Sequence, residues 1–267
     1  MYYEYNLEPE VASRWLSPDP LGAKFPQWSP YNYANNNPIN IIDPDGRSGE
    51  PVIDKTNKTI TVSSNLILYG SSGSAELAKT AAAKIQNQWN SANGKTTIDG
   101  VEFSVKFAIT GSYNDKLSAS DITSNTDIKN NFMKVVETGI AISYMDDLGS
   151  NTGEFLKSNI DDANSTTESH EMGHGYGLDH PTDLDLRGKG QPSLMYPRGT
   201  AVDKEYTWNP SKGATSVDPA TGAASNTMNP TNRKVTQADI NNLGLDKVKY
   251  DPATGKGELG KLSNKPH

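Results

Sequence analysis

The segment His170-Glu171-Met172-Gly173-His174-Gly175-Tyr176-Gly177-Leu178-Asp179-His180 holds three of the four histidines in the 267-residue chain. Helical residues four apart differ by about 40° in azimuth, so His170 and His174 share one face. Their rings can then reach one cation at about 2.0–2.1 Å. Glu171 projects about 100° further round, beside such a cation and outside its ligand shell. That position suits a general base acting on water.

His180 cannot lie on the same face if the helix continues, so the chain has to turn back. Gly177 supplies the turn because glycine adopts positive φ without steric penalty. Three histidine ligands leave a fourth position open, which is typical of catalytic zinc. The residues therefore predict that His170, His174 and His180 bind Zn²⁺ and that Glu171 is the base. The alternatives are ordinary surface or core histidines on a capped helix, and a zinc site that is structural or inactive.

This order of residues resembles the extended zinc signature of the metzincins, a superfamily of zinc endopeptidases that includes the matrixins and serralysins. A methionine turn beneath the metal is the second element of that superfamily, and Ser193-Leu194-Met195-Tyr196-Pro197 follows the third histidine. The resemblance implies that Met195 is an apolar floor under the imidazoles. Some metzincins have a tyrosine near the metal two positions after the methionine. Pro197 holds that place here, so Tyr196 is not assigned as a ligand.

Two strands and a helix are predicted before the histidine motif. Apolar and β-branched residues favour a strand over 60–68, and strict alternation favours a second strand over 101–109. An apolar residue recurs every four positions from Leu77 to Trp89, which predicts a helix over 75–90. The polar stretch 112–131 is predicted to be a loop.

Two capping motifs predict further helices. Ser165 and Glu168 form the sequence pattern of a capping box, which places an active-site helix over 166–176. Thr236 and Asp239 form a similar pattern before a short C-terminal helix. Together with the metzincin resemblance, these elements predict an α+β fold. We expect a twisted mixed β-sheet with a backing helix, an active-site helix and a C-terminal helix.

Residues 140–145 are predicted to form another strand, at an edge of the sheet. An extended peptide can add to such an edge through main-chain hydrogen bonds. We therefore expect this strand to line the substrate cleft, and the alternative is an ordinary strand of the sheet.

Two pairs of aspartates are candidate Ca²⁺ ligands, since some metzincins bind calcium. They are Asp146 with Asp147, and Asp183 with Asp185. No EF-hand spacing is present, and solvated surface or turn aspartates are the alternative.

The N-terminal region, 1–48, differs in character and is crowded with Tyr, Trp, Pro and Asn. Its motifs Arg14-Trp15-Leu16-Ser17-Pro18-Asp19-Pro20-Leu21-Gly22 and Ile42-Asp43-Pro44-Asp45-Gly46 resemble the C-terminal end of the Rhs repeat-associated core. The resemblance implies a short β-rich remnant of that core, followed by a toxin domain over 49–267. It also implies self-cleavage after Gly46 that uses Asp19 and Asp43. Arg47 departs from the apolar residue usual there, and the alternative is that both aspartates only cap turns.

Composition excludes several classes of function. The formal net charge is −7, so we expect no nucleic-acid partner. No apolar run reaches 18 residues, so we expect no membrane insertion. The N-terminus has neither a basic start nor an apolar core, so no signal peptide is predicted. The chain has no cysteine, which excludes disulfides, thiolate ligands and latency by a cysteine on the metal.

The residues and the two resemblances together predict a zinc-dependent endopeptidase that is the toxic effector of an Rhs-type polymorphic toxin. We expect a protein or peptide substrate, an immunity protein as partner, and secretion or delivery into a target cell by a specialised route. The alternatives are a zinc-containing binding module, a nuclease toxin, and an amidase acting on peptidoglycan. The adjacent carboxylate of Glu171 favours hydrolysis over the binding module.

Overall fold

The computed structural model of the chain describes residues 48–212, 226–259 and 262–267. The Rhs-like segment, 1–48, lies outside these residues except for Ser48. The strands and helices, in chain order, are β1 (Glu50–Asp54), β2 (Thr59–Tyr69), α1 (Ala75–Ser91), β3 (Lys95–Ile98), β4 (Val101–Tyr113), α2 (Ala119–Thr123), β5 (Asn130–Val136), β6 (Tyr144–Met145), β7 (Thr152–Leu156), α3 (Lys157–Asp161), α4 (Thr167–Gly175) and α5 (Gln237–Asn242).

The strands form one mixed sheet in the order β3-β4-β2-β5-β7-β6. The central pairs, β4 with β2, β2 with β5 and β5 with β7, are parallel, whereas β3 and β6 add antiparallel edges. β1 pairs with the first half of β2, and β5 pairs with the second half on the same side of β2. The sheet and its helices agree with the predicted mixed, α+β architecture.

Helix α1 covers one face of the sheet and confirms the predicted backing helix. Ser74 caps it, and its side chain accepts a hydrogen bond from the Leu77 backbone N–H. The residues that recur every four positions place Ala81, Ile85 and Trp89 in the core, where all three are buried. The packing follows from the apolar stripe, because one helical face removes its side chains from water.

Helix α4 crosses next to α1 and carries the first two histidines of the motif. The Trp89 indole Nε1–H donates to the Ser169 carbonyl at 3.2 Å. Lys84 of α1 forms an ion pair of 3.0 Å with Glu168, and both side chains are nearly buried. The two helices are therefore joined by polar contacts inside an otherwise apolar interface.

Several sequence predictions differ from the structure in detail. The strand expected over 140–145 is only Tyr144–Met145, and the residues before it form bends. The stretch expected to be a loop, 112–131, contains α2 and the start of β5. The expected capping box at Ser165 is not formed as such, because Thr166 is the N-cap residue. The Ser165 hydroxyl instead accepts from the Thr167 N–H and donates to Glu168 Oε2, while the other oxygen of Glu168 faces Lys84. Tertiary contacts decide each of these differences.

No helix among the described residues is both long and apolar enough to cross a membrane.

Candidate metal centre

The three histidines of the motif converge at one point. The Nε2 atom of His180 lies 2.9 Å from Nε2 of His170 and 3.1 Å from Nε2 of His174. His170 and His174 are one helical turn apart in α4, so the helix itself aligns their rings. Within the described residues, these three side chains form the group that could hold a metal ion.

A reversal of the chain after α4 brings in His180, as the sequence predicts. Gly177 has φ of 84°, a left-handed conformation that favours glycine. The Leu178 backbone N–H donates to the Gly173 carbonyl at 2.9 Å, which closes the helix end. The chain then runs back toward α4, and the Asp179 carboxylate accepts a hydrogen bond from the His180 backbone N–H at 2.7 Å.

Backbone carbonyls orient two of the rings. His170 Nδ1 lies 2.8 Å from the Leu194 carbonyl, and His174 Nδ1 lies 2.7 Å from the Leu178 carbonyl. A carbonyl only accepts, so each Nδ1 carries the proton and each Nε2 presents its lone pair to the common centre. This tautomer is the one that a metal ligand bound through Nε2 requires.

Burial keeps the rings neutral. It is the largest cause that lowers the pKa of His170, His174 and His180 from the ordinary value of histidine. For His170 the positive charge of Arg233 lowers the pKa further. Neutral imidazoles are the form that binds metal, so little proton competition is expected near neutral pH.

Glu171 lies on α4 next to His170, and it is 8% exposed. Burial raises the pKa of its carboxyl to about 8, while Arg233, the Met145 backbone N–H and Arg198 act in the opposite direction. Met145 belongs to the edge strand β6. The carboxylate is thus held between the ligand helix and the edge of the sheet.

Met195 packs directly against the ligand helix. It is 3% exposed, and a Cβ on Gly173 would collide with its Sδ atom. The turn that contains Met195 also supplies the Leu194 carbonyl that orients His170. Met195 is therefore packed against the helix that carries His170 and His174, and the Tyr196 carbonyl accepts a hydrogen bond from Arg233.

Arg233 is a buried residue of this site that the sequence does not predict. Its Nε atom donates to Thr166 Oγ1 at 3.0 Å, and its Nη1 atom donates to the Tyr196 carbonyl at 3.1 Å. Nη1 also lies 2.9 Å from His170 Nδ1, but that nitrogen already carries a proton for Leu194. A single arginine in a loop belongs to no hydrophobic periodicity. The one local sign that this segment is ordered is the helix that starts nearby, at Thr236.

The other candidate site residues do not join this centre. Asp183 and Asp185 form ion pairs with Lys189 and Arg187. Asp146 pairs with residues near the C-terminus, where the His267 Nε2 atom lies 2.9 Å away. Within the described residues, neither candidate Ca²⁺ pair belongs to a group of three metal-binding side chains. Asp19 and Asp43, the candidates for self-cleavage, lie outside the described residues.

No protein-family model matches the chain, and no curated protein matches it. The functional assignment therefore depends on the residues of the centre and on the motifs in the sequence.

Proposed function

We propose that the protein is a zinc-dependent endopeptidase of the metzincin type. In this proposal His170, His174 and His180 hold the metal and Glu171 is the general base. The observation that carries it is the convergence of the three Nε2 atoms beside a buried carboxylate on the same helix. A structural zinc site has no need for that carboxylate.

The donor set fits zinc. Three nitrogens that are each about 2.0–2.1 Å from one tetrahedral ion lie about 3.3 Å apart. The two Nε2 separations of 2.9 and 3.1 Å are close to that value. The carbonyls of Leu194 and Leu178 orient two of the ligands in the manner usual for catalytic zinc.

The proposed chemistry assigns the proton transfers to Glu171. A zinc ion, when bound, polarises the scissile carbonyl and lowers the pKa of water. Glu171 takes a proton from the attacking water and gives it to the leaving amine. Burial raises the pKa of the Glu171 carboxyl, and the positive charge of a bound cation would lower it again, which would leave the carboxylate able to accept the proton. The Met145 backbone N–H favours the charged form of this carboxylate.

The edge strand β6 supports a peptide substrate. It is the edge strand at one end of the sheet, and its Met145 backbone interacts with Glu171. A peptide paired with β6 would therefore lie next to the proposed base. Ile142 and Leu148, which flank the strand, are 55% and 47% exposed. These apolar side chains offer contact area to an extended peptide. The substrate strand proposed over 140–145 is thereby reduced to Tyr144–Met145 and its flanks.

The Rhs-like motifs before residue 48 lead us to extend the proposal to a toxic effector. Such an effector would act on proteins of a target cell after specialised delivery, and an immunity protein would block it in the producer. This extension depends on the sequence resemblance alone.

The test compares the unmodified protein with Glu171→Gln and with Glu137→Gln, a control at an exposed glutamate. Zinc is measured by elemental analysis, and cleavage is measured on unfolded protein substrates. We expect one zinc per chain in all three proteins and a loss of cleavage of about 10²–10⁴-fold in Glu171→Gln alone. Zinc without cleavage in all three would favour a binding module or an amidase. A folded protein that binds no zinc would overturn the proposal.

A further inference from the structure

Arg198 is a side chain beside the centre that the proposed mechanism does not use. It directly follows the methionine turn and is exposed, and its Nη2 atom lies 3.5 Å from Thr167 Oγ1. Thr167 and Glu171 are four residues apart in α4 and therefore share one face. Arg198 thus lies on the same side of the helix as Glu171, about one turn, or about 5.4 Å, toward its N-terminus.

The guanidinium of Arg198 differs from the other two arginines of the described residues. Arg187 is exposed and forms an ion pair of 2.6 Å with Asp185. Arg233 is buried and donates to backbone and side-chain oxygens of the site. Within the described residues, no carboxylate lies within ion-pair distance of Arg198. Its charge is therefore available to a group from outside the chain.

The charges around Glu171 favour the binding of a negatively charged group. Burial and, to a lesser extent, the charge of Arg198 lower the pKa of Arg233 to about 10, so the two guanidiniums repel each other. Among the charged groups, Glu171 acts most strongly on Arg233, and in the proposed mechanism Glu171 is the base. Arg233 is buried and Arg198 is exposed, and their two like charges become more favourable when a negative group approaches them.

We infer, on the basis of the proposed function, that Arg198 is a specificity-determining residue. It selects substrates that carry an aspartate or glutamate side chain within two residues of the scissile bond. The geometry supports this range, because successive residues of an extended peptide are about 3.3 Å apart and Arg198 is about one helical turn from Glu171. A lysine at the same position is rejected by repulsion.

The experiment uses quenched fluorescent peptides that are identical except for Glu, Gln or Lys at one of the two positions on either side of the scissile bond. They are tested on the zinc-loaded protein, on Arg198→Gln and on Arg198→Glu. Arg187→Gln is the matched control, because Arg187 is also exposed but its charge is paired with Asp185. Elemental analysis verifies equal zinc content.

At one position, we expect kcat/KM for the Glu peptide to exceed that for the Gln peptide by about tenfold. Arg198→Gln removes this preference, Arg198→Glu shifts it to Lys, and Arg187→Gln leaves it unchanged. The inference is overturned if the unmodified protein shows no preference at any position. It is also overturned if Arg198→Gln slows all peptides equally and keeps the Glu/Gln ratio.

A binding measurement separates this inference from the proposed function. Titration calorimetry of the zinc-loaded Glu171→Gln variant with the same peptides needs no turnover. One outcome is that no protein cleaves any peptide, but the Glu peptide binds about tenfold more tightly than the Gln peptide and this difference depends on Arg198. That outcome would reject the endopeptidase proposal and support recognition of an acidic side chain by Arg198. If cleavage occurs but the Glu and Gln peptides bind and react alike, the endopeptidase stands and the role of Arg198 fails.

Discussion

At the scale of single residues, the centre depends on the absence of a side chain at Gly173. This residue lies between Glu171 and His174 on α4, and the thioether of Met195 fills the space where a Cβ would be. Trp89 lies behind it at 3.4 Å from the same Cβ position. The glycine therefore lets the methionine turn approach the helix that carries the ligands.

Gly173→Ala should destabilise the protein by about 1–3 kcal/mol, because the new methyl group overpacks a filled site. In a Met195→Ala background the same change should stabilise by up to about 1 kcal/mol, because alanine favours helix over glycine. Urea unfolding of the four proteins measures both effects. Equal effects in the two backgrounds would show that Met195 does not occupy this space in solution.

The sequence predicts some residues of the centre and not others. The spacing of His170, His174 and His180 predicts the cluster that the structure contains, because a helical turn and a glycine reversal are local features. Arg233 and the Leu194 carbonyl were beyond prediction. Each comes from a distant part of the chain, and nothing local marks a residue that meets a ring 24 or 63 positions away.

At the scale of elements, the polar link between α1 and α4 carries a buried charge pair. Lys84 Nζ contacts Glu168 at 3.0 Å and also donates to the carbonyls of Asn159, Ile160 and Asp162. Burial raises the pKa of Glu168, and the charge of Lys84 opposes this shift. Lys84 of α1 thus links α1 to the start of α4 and to α3.

Lys84→Met should cost about 3–5 kcal/mol, since it leaves the Glu168 carboxylate buried without its cation. The double variant Lys84→Met/Glu168→Gln should recover part of that loss, because a neutral amide costs less to bury. Guanidinium unfolding of both single variants and the double variant gives the coupling energy. Strictly additive losses would contradict a direct pair.

At the scale of the whole molecule, residues from both ends of the described chain hold the centre in place. Ser48 is fully buried, and its N–H donates to the carbonyl of Gly175 at the end of α4 at 2.8 Å. Near the C-terminus, the backbone N–H groups of Ser263 and Asn264 donate to the Asn151 side chain. The loop that contains Asn151 also contacts α4, where the Gly149 N–H donates to the His174 carbonyl at 2.7 Å.

Asn151→Ala should lower stability by about 1–3 kcal/mol, because it removes a buried amide that accepts from the Ser263 and Asn264 N–H groups and donates to the Asn130 carbonyl. It should also raise hydrogen exchange in the loop after β6. Asn57→Ala, a control at an exposed asparagine, should change stability by less than about 0.5 kcal/mol. Thermal unfolding and hydrogen-exchange mass spectrometry measure these effects. Unchanged exchange in the loop would show that these C-terminal residues do not hold it.

Elements whose signals are local can be predicted from the sequence. Four-residue periodicity placed α1, alternation placed β2 and β4, and the histidine motif placed α4 with its closing turn. These features depend on neighbours within one or two helical turns, so a single stretch of residues specifies them. The same locality explains why the sequence predicts each of the three histidines that converge in the structure.

Features that join distant segments depend on the folded chain. The antiparallel pairing of β6 with β7 covers only two residues of the expected edge strand, and Glu168 contacts Lys84 of α1 in addition to Ser165. The positions of Arg198 and Arg233 beside Glu171 have the same origin. The physical reason is that tertiary packing selects the partner of each buried hydrogen-bonding or charged group. The residues next to that group in the sequence do not specify the partner.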